Sequence, residues 1–278
     1  LFAARALPVC GEHMDRARCD GILAFFTLPA AGMALRLSRR SGCPFIVSLR
    51  GSDVPGFRYS RWAPPYLLAR PLIRRIWREA SAVVAHSTAL RNLTGLTWRG
   101  PIETIPNGVD CRRFAPPPDG RRGRDALQLL TVGQLIHRKN PLRLIAAFAE
   151  LNRRVATPVR LRLVGRGPLE SNLRAQARAL GVEGLVEFAG FVPPERMPAE
   201  YAAADAFVLL SSREGMSNAL LEAMASGLPC VVARAGDSEK LIASPGEGLV
   251  LDETESPVEP LAALMDDPDR RLALGAAA

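Results

Sequence analysis

The sequence predicts an α/β protein with two domains, each built on a parallel β-sheet that helices cover. At 278 residues the chain is long for one domain, and 48% of its residues are hydrophobic, which is ample for a buried core. Short apolar runs alternate with helical stretches, as they do in parallel sheets. The alternation is interrupted at residues 114–125, FAPPPDGRRGRD, which cannot continue a helix or a central strand. We therefore place the domains at residues 1–122 and 123–278.

Apolar runs and turn residues locate the elements of both domains. In the first domain, strands are predicted at residues 21–26, 45–49, 82–85 and 102–105, with helices over 29–40 and 65–80. In the second, strands are predicted at 127–132, 161–164, 186–189, 206–210, 229–233 and 248–251. Its helices are predicted over 141–151, 168–180, 194–204, 218–226 and 238–243. Two such domains form a cleft, and ligands bind at the carboxyl ends of the strands.

The distribution of charge narrows the classes of partner. The net charge is +8, but residues 1–122 carry +11 and residues 123–278 carry −3. A basic half favours an anionic partner such as a phosphate or a lipid head group. Residues 58–78, RYSRWAPPYLLARPLIRRIWR, mix arginines with aromatic and aliphatic residues, which suits a helix on an anionic membrane surface or an amphipathic helix packed on the sheet. The sequence has no zinc-finger, helix-turn-helix or RNP-type motif, and we expect no nucleic-acid partner.

The number and spacing of the cysteines indicate the redox state of the compartment in which the protein works. Five cysteines are scattered along the chain without a CxxC pair, which is typical of reduced thiols rather than of disulfides or a zinc site. We expect a cytoplasmic protein, with peripheral attachment to the inner face of the membrane as the alternative.

A pair of basic residues indicates a phosphate site in the second domain. In TVGQLIHRKNP, residues 131–141, a strand ends at Gly133, and Arg138 with Lys139 precede a helix. A cation at a helix start is disfavoured by the helix dipole, whereas a strand's carboxyl end suits a lysine that binds phosphate. The alternative is a solvated charge. In LVGRGPLE, residues 163–170, Gly165-x-Gly167 lacks the third glycine of a dinucleotide site, so a tight turn and a nucleotide contact both remain open.

Two glutamates define the second part of this site. Glu214 and Glu222 flank seven residues in SSREGMSNALLEAMASGLP, residues 211–229. On a single helix they would lie about 12 Å apart, too far for a glycosidase pair. We therefore place Glu214 in the loop and Glu222 on a helix that Ser217 or Asn218 caps. Backbone N–H groups at that helix start would bind a diphosphate, while the carboxylates bind sugar and ribose hydroxyls. Two ordinary surface glutamates are the alternative.

At these residues the sequence resembles the retaining GT-B glycosyltransferases of glycosyltransferase family 4. The most specific match is EGMSNALLEAMASGLP, and the supporting matches are VGQLIHRKNP, LVGRGPL, FAGFV (188–192), IPNGVDCRRF (105–114) and SLRGSDVPG (48–56). The resemblance implies two Rossmann-like domains that face a cleft. It also implies metal-independent transfer of a sugar, with retention, from a nucleotide diphosphate donor to a glycan or lipid-linked acceptor in polysaccharide or glycolipid synthesis. It implies no cofactor besides the donor substrate.

The resemblance also assigns roles to individual residues. The implied catalytic residues are Glu214, which faces the donor sugar, and Lys139 with Arg138, which bind the diphosphate. The implied donor-binding residues are Glu222, Gly133, Gln134, Ser217, Asn218, Ala219, Leu220, Gly165 and Val192. The implied acceptor-side residues are Arg50, Gly51, Asp53 and Asn107, and no metal site is implied. Gln134 stands where many members have Arg, and Arg50 where many have His.

Other functions and the extent of the chain stay open at this point. A GT-B-fold nucleotide-sugar epimerase and a nucleotide-sugar-binding module without activity fit the same residues. The chain begins with Leu1 rather than Met, and the family's first glycine-rich strand has no counterpart. We therefore expect the first domain to be truncated at its N-terminus and the second at its C-terminus. The run 21–26, GILAFF, is apolar on both faces, as in a central strand. Without the family's first strand beside it, we expect this strand to be an edge that exposes apolar side chains.

Overall fold

The computed structural model describes residues 2–16, 19–57, 63–118 and 126–278, and it divides into two compact units, Leu1–Asn107 and Gly108–Ala278. The predicted boundary between residues 122 and 123 lies outside the described residues. The units separate earlier in the chain, because Val109 packs against the core of the second unit and Phe114 is buried in that core, with its ring edge against Tyr201.

The first unit contains a four-stranded parallel sheet in the order β1-β2-β3-β4. Its elements in chain order are α1 (Phe2–Arg16), β1 (Ile22–Phe25), α2 (Gly32–Ser41), β2 (Phe45–Leu49), α3 (Pro64–Glu79), β3 (Ala82–Ala85), α4 (Thr88–Gly95) and β4 (Glu103–Thr104). The predicted strands and the two predicted helices are present. The helices α1 and α4 were not predicted, and α1 forms although it contains Pro8.

The first strand lies at an edge of the described sheet rather than in its middle. Ala24 is buried in the core of the unit, whereas the neighbouring Leu23 and Phe25 are 58% and 46% exposed. Ile46 pairs with Leu23 in register and is also exposed. GILAFF therefore forms an edge strand of the described sheet, as expected, and exposes one of its two apolar faces.

The second unit contains a six-stranded parallel sheet in the order β10-β9-β8-β5-β6-β7. Its strands are β5 (Leu127–Val132), β6 (Val159–Val164), β7 (Val186–Gly190), β8 (Ala206–Leu209), β9 (Cys230–Ala233) and β10 (Leu249–Leu251). Its helices are α5 (Pro141–Leu151), α6 (Glu170–Ala179), α7 (Met197–Ala202), α8 (Asn218–Ala225), α9 (Ser238–Leu241), α10 (Val258–Asp266) and α11 (Pro268–Ala277). All strands and the five predicted helices are present within a few residues of their predicted bounds, while α10 and α11 were not predicted.

Helices cover both faces of this second sheet. Successive residues of β5, Leu129 and Leu130, are fully buried in two different core clusters, as are Val208 and Phe207 of β8. This double-sided burial is what a central parallel strand requires. The carboxyl ends of β5, β6 and β8 consequently meet at one edge of the sheet, and the loops that leave them form the candidate site.

Two of these loops touch at a pair of glycines. Gly165 has φ +136°, and a Cβ atom built on it would lie 1.9 Å from the carbonyl oxygen of Gly133. The backbone N–H of Gly133 donates to Val164, and that of Gly165 donates to Gly190. The tight turn that the sequence left open at Gly165 is therefore present, whereas its contact with a nucleotide stays a prediction.

We expect Gly165→Ala to destabilise the second unit by about 2–4 kcal/mol, because the new methyl group overlaps a carbonyl oxygen and the backbone conformation is unfavourable for alanine. Gly184→Ala is the matched control, since nothing lies within 4 Å of the position of its Cβ. We expect the control to change the free energy of unfolding by less than about 0.5 kcal/mol in urea titrations. Equal losses in both variants would contradict the close approach of the two loops.

Candidate functional site

Glu214 lies in the loop after β8 and contacts both of the predicted phosphate-binding cations. Lys139 Nζ lies 2.5 Å from Glu214 Oε1, and Arg138 Nη1 lies 3.1 Å from Glu214 Oε2. The side chains of Glu214 and Lys139 are only 13% and 15% exposed. The structure therefore brings the three predicted catalytic residues together from two loops that are about 75 residues apart in the sequence. We call Arg138, Lys139 and Glu214 the ion cluster.

Backbone contacts fix the two loops that carry the ion cluster. Arg138 donates through Nη1 to the carbonyl oxygen of Arg213 at 2.6 Å and accepts from the N–H of Ser212 at 2.9 Å. Asn140 donates through Nδ2 to the carbonyl oxygen of Leu210 at 3.0 Å, and its own backbone is left-handed, with φ 49°. The sequence analysis missed this role of Asn140, although asparagine before Pro141 is a recognisable helix-start signal.

Opposing effects set the ionisation of Glu214. Burial raises the pKa of a carboxyl group. The charge and the hydrogen bond of Lys139 lower it, and Arg138 adds a smaller lowering contribution. Together these two cations outweigh burial and hold the pKa of Glu214 below its ordinary value of 4.5. Glu214 is therefore a carboxylate at neutral pH, and the ion cluster carries two cations and one anion.

Glu222 lies on α8, as predicted, and its partner is a tyrosine that the sequence analysis missed. The hydroxyl of Tyr201, on α7, donates to Glu222 Oε2 at 2.8 Å. Tyr201 is fully buried between Phe114 and Phe207. Its ring is therefore fixed in the core, and its hydroxyl holds the carboxyl group of Glu222 in place. Burial raises the pKa of Glu222, and the hydrogen bond from Tyr201 with the charge of Arg113 opposes that rise.

The start of α8 lies between the two glutamates. Ser217 is its N-cap, and its hydroxyl accepts from the backbone N–H of Leu220 at 3.4 Å. The side chain of Leu220 is buried, and Ala219 packs partly against the same core cluster. Asn218, the first residue of α8, is exposed, and Ala219 after it is half-buried and small, so neither the cap nor Ala219 places a bulky side chain at the helix start.

The loop before α8 is fixed by its neighbour after β9. Gly236 has φ +63°, and a Cβ atom built on it would lie 2.2 Å from the carbonyl oxygen of Gly215. The same carbonyl oxygen accepts from the N–H of Asp237 at 3.0 Å. This contact sets the direction in which the chain enters α8 from Glu214.

The remaining predicted donor-binding residues lie around the same edge of the sheet. Gly133 follows β5, with φ +154°, and a Cβ atom there would lie 3.3 Å from Lys139 Cε, so the lysine lies against the backbone of the strand end. Gln134 is exposed beside it, and Val192, after β7, is partly buried against the core. Their contacts with a donor stay predictions.

In the first unit, Asp53 holds two loops together. Its Oδ1 accepts from the backbone N–H of Arg50 at 3.0 Å, and its Oδ2 accepts from the backbone N–H of Thr27 at 2.8 Å and from the Thr27 hydroxyl at 3.1 Å. Thr27 also accepts from the indole N–H of Trp77 at 3.0 Å. Both carboxylate oxygens are engaged within the unit, which gives Asp53 a structural role, and its acceptor-side role stays a prediction.

Arg50 connects the other predicted acceptor-side residues. Its Nη1 donates to Asn107 Oδ1 at 3.1 Å, and its guanidinium carbon lies 5.1 Å from the ring centroid of Phe25. Gly51 follows with φ +107°, and a Cβ atom there would collide with the ring of Phe57. The structure therefore groups Arg50, Gly51 and Asn107 around the carboxyl end of β2.

In residues 2–16, 19–57, 63–118 and 126–278, no three His, Cys, Asp or Glu side chains are grouped so that they could hold a metal ion. Over the same residues, no helix combines the length and the hydrophobicity needed to cross a bilayer.

The fold and the site define a glycosyltransferase of the GT-B class. The family model described as "Glycosyl transferases group 1" matches residues 118–278, and that described as "Glycosyltransferase Family 4" matches residues 1–113. The chain belongs to the glycosyl transferases group 1 family. The motif resemblance found in the sequence is thereby confirmed at the level of the family.

Individual relatives and solved structures extend this comparison. The GDP-mannose-dependent alpha-(1-6)-phosphatidylinositol monomannoside mannosyltransferase of Mycolicibacterium smegmatis is 35% identical, over 99% of this chain and 74% of the relative. Its namesake in Mycobacterium tuberculosis is 32% identical, over 76% of this chain and 59% of the relative. HepE from Anabaena, crystallised with UDP and glucose, has a TM-score of 0.81 at 20% identity, over 99% of this chain and 74% of that chain, which supports the fold alone.

We expect Glu214→Gln to lower the free energy of unfolding of the second unit by about 1–3 kcal/mol at pH 7, because it removes the anion that Lys139 and Arg138 face. Since the folded pKa of Glu214 is lowered, its contribution is present above pH 4.5 and is lost as the pH falls through the folded value. The difference between wild type and variant, measured by urea unfolding across pH, should therefore shrink below pH 4.5.

Glu195→Gln is the matched control, because Glu195 is an exposed carboxylate in the same unit. It should not show the loss at pH 7. A difference for Glu214→Gln that stays constant as the pH falls would contradict the lowered pKa.

Proposed function

We propose that this chain transfers a hexose from a nucleoside diphosphate sugar to a lipid-linked glycan acceptor, with retention of the anomeric configuration and without a metal ion. The observation that carries the proposal is the ion cluster at the carboxyl ends of β5 and β8, next to the N-terminus of α8. Its net positive charge and the positive end of the helix dipole suit a diphosphate.

In the proposed reaction, Lys139 and Arg138 stabilise the diphosphate as it leaves the sugar. Each charge-assisted hydrogen bond is worth about 1.5–3 kcal/mol, and in the reaction it strengthens as negative charge develops on the leaving phosphate. In the proposed reaction these two cations neutralise the diphosphate without a metal ion. The acceptor hydroxyl is the nucleophile, and an oxygen of the leaving phosphate accepts its proton, so no protein nucleophile is required.

The two carboxylates have separate functions in this proposal. Glu214 faces the hexose, and its lowered pKa keeps it available to accept hydrogen bonds from sugar hydroxyls. Glu222 accepts hydrogen bonds from the ribose, through the oxygen that Tyr201 does not occupy. This division follows from their places in the fold, one in the loop after β8 and one on α8.

The names of the relatives suggest the first substrates to test. Both mycobacterial relatives are described as GDP-mannose-dependent and as acting on a phosphatidylinositol mannoside. We propose GDP-mannose as the donor, a lipid-linked mannoside as the acceptor, and a site of action at the cytoplasmic face of a membrane that the first unit contacts. Radiolabelled GDP-mannose and UDP-glucose, each with and without acceptor lipid, test this. Labelled lipid in the GDP-mannose reaction supports the proposal, interconversion of the sugar without acceptor indicates an epimerase, and neither product indicates a binding module.

We expect Glu222→Ala to weaken donor binding about 10- to 100-fold in titration calorimetry, because charge-assisted hydrogen bonds to the ribose are lost. Glu214→Ala should chiefly lower the rate of transfer. Glu195→Ala, an exposed carboxylate, is the control and should change neither. Unchanged nucleotide affinity in Glu222→Ala would contradict the ribose assignment.

Tyr201→Phe gives a graded version of the same test. Because the hydrogen bond from Tyr201 lowers the pKa of Glu222, its loss should raise that pKa. Donor affinity should then begin to fall at a higher pH on acidification than it does in the wild type. A merely structural role for Tyr201 would lower affinity equally at every pH.

A further inference from the structure

The outward face of α3 is divided into an apolar half and a basic half. The inward residues Ile73, Ile76 and Trp77 are at most 2% exposed and belong to the core of the first unit. The exposed residues of the first half of the helix are Pro64, Pro65, Leu67, Leu68, Pro71 and Leu72, and those of the second half are Arg74, Arg75, Arg78 and Glu79. Apolar and cationic groups thus follow one another along a single exposed face.

Some residues of the predicted membrane segment, residues 58–78, are buried in the structure and cannot reach a membrane. The aromatic and branched residues Trp77 and Ile73, which contributed to the prediction from residues 58–78, are buried against the sheet. Arg58, Arg61 and Trp62 lie outside the described residues. The residues left on the surface are leucines, and Leu68 is 83% exposed while Leu67 and Leu72 are 43% and 47% exposed. Three leucines exposed within six residues of one helix are unusual on a surface that only water covers.

The arginines of the second half keep charge available to a partner. Arg74 donates through Nε to the carbonyl oxygen of Thr97 at 3.0 Å, and this bond leaves the positive charge of its guanidinium group unpaired with a carboxylate among the residues that the structure describes. Arg75 bonds to Glu79 at 3.1 Å, and Glu79 also pairs with Arg39, so one carboxylate faces two cations. Within the described residues Arg78 forms no ion pair. The face therefore keeps a net positive charge after the ion pair between Arg75 and Glu79 is taken into account.

We propose that this face of α3 docks on an anionic membrane surface. Leu67, Leu68 and Leu72 enter the boundary between head groups and acyl chains, and Arg74, Arg75 and Arg78 bind the anionic head groups. The proposal rests on the proposed function, since a lipid-linked acceptor is what brings the first unit to a membrane.

Charge complementarity favours this occupant over a second copy of the chain. Residues 1–122 carry a net charge of +11, so two copies joined through α3 would bring like charges together. An anionic lipid surface attracts the same charges, and it accepts exposed leucines without requiring a matching shape.

The test is cosedimentation of the whole chain with vesicles of phosphatidylcholine alone or mixed with phosphatidylglycerol, at low and high salt. The wild type should bind the mixed vesicles, and high salt should weaken that binding. Leu68→Asp should weaken it about tenfold or more through loss of apolar burial, and Arg78→Glu by about tenfold through charge reversal. Val9→Asp on α1 and Arg91→Glu on α4, at exposed positions elsewhere in the first unit, are the controls and should bind like the wild type.

Several results would overturn the proposal. Equal recovery of the wild type with neutral and anionic vesicles at both salt concentrations would do so, as would equal losses in the α3 variants and their controls. Sedimentation velocity without lipid tests for a dimer. A dimer that Leu68→Asp dissociates would show that this face binds a second copy of the chain, which would also overturn the proposal.

Nucleotide titration of the same samples separates this proposal from the proposed function. Lost vesicle binding with intact GDP binding contradicts only the docking surface, and the reverse contradicts only the donor site.

Discussion

The ion pair between Lys139 and Glu214 is the contact on which the rest of the candidate site depends. Both side chains are largely buried, and a buried charge is tolerated only when an opposite charge and hydrogen bonds compensate it. The pair therefore holds the loop after β5 against the loop after β8. Arg138 and Asn140 strengthen the same connection through carbonyl oxygens, so the start of α8 and Glu222 on it take fixed positions relative to the cations.

In this arrangement one site contains both a carboxylate and two cations. Two cations facing one carboxylate leave positive charge available, and the adjacent helix start adds to it. In the proposed reaction a diphosphate shares Lys139 and Arg138 with Glu214, and the carboxylate keeps a cationic partner. The hydrogen bond from Tyr201 likewise opposes the rise in the pKa of Glu222 that burial causes, so each glutamate is positioned by a neighbouring side chain.

The periodicity of apolar residues predicted the strands and most of the helices, because each of these elements follows a regular pattern over a short segment of the chain. Apolar runs located the strands of both sheets, and the spacing of Glu214 and Glu222 correctly placed one in a loop and the other on a helix. Contacts between distant segments carry no such periodicity. For this reason the bonds of Tyr201 to Glu222 and of Asn140 to Leu210 were missed, as was the engagement of both Asp53 oxygens with Thr27 and Arg50. The helix α1 was missed because Pro8 and its charged neighbours argue against a helix when only the local sequence is considered.

A crystal structure of the chain with bound GDP tests the central claim most directly, because it locates the diphosphate relative to the ion cluster. The account predicts phosphate oxygens about 2.7–3 Å from Lys139 Nζ and from the guanidinium of Arg138, with ribose hydroxyls on Glu222. A nucleotide bound elsewhere on the second unit, with the Lys139–Glu214 pair unchanged and Glu222 distant from the ribose, would contradict it.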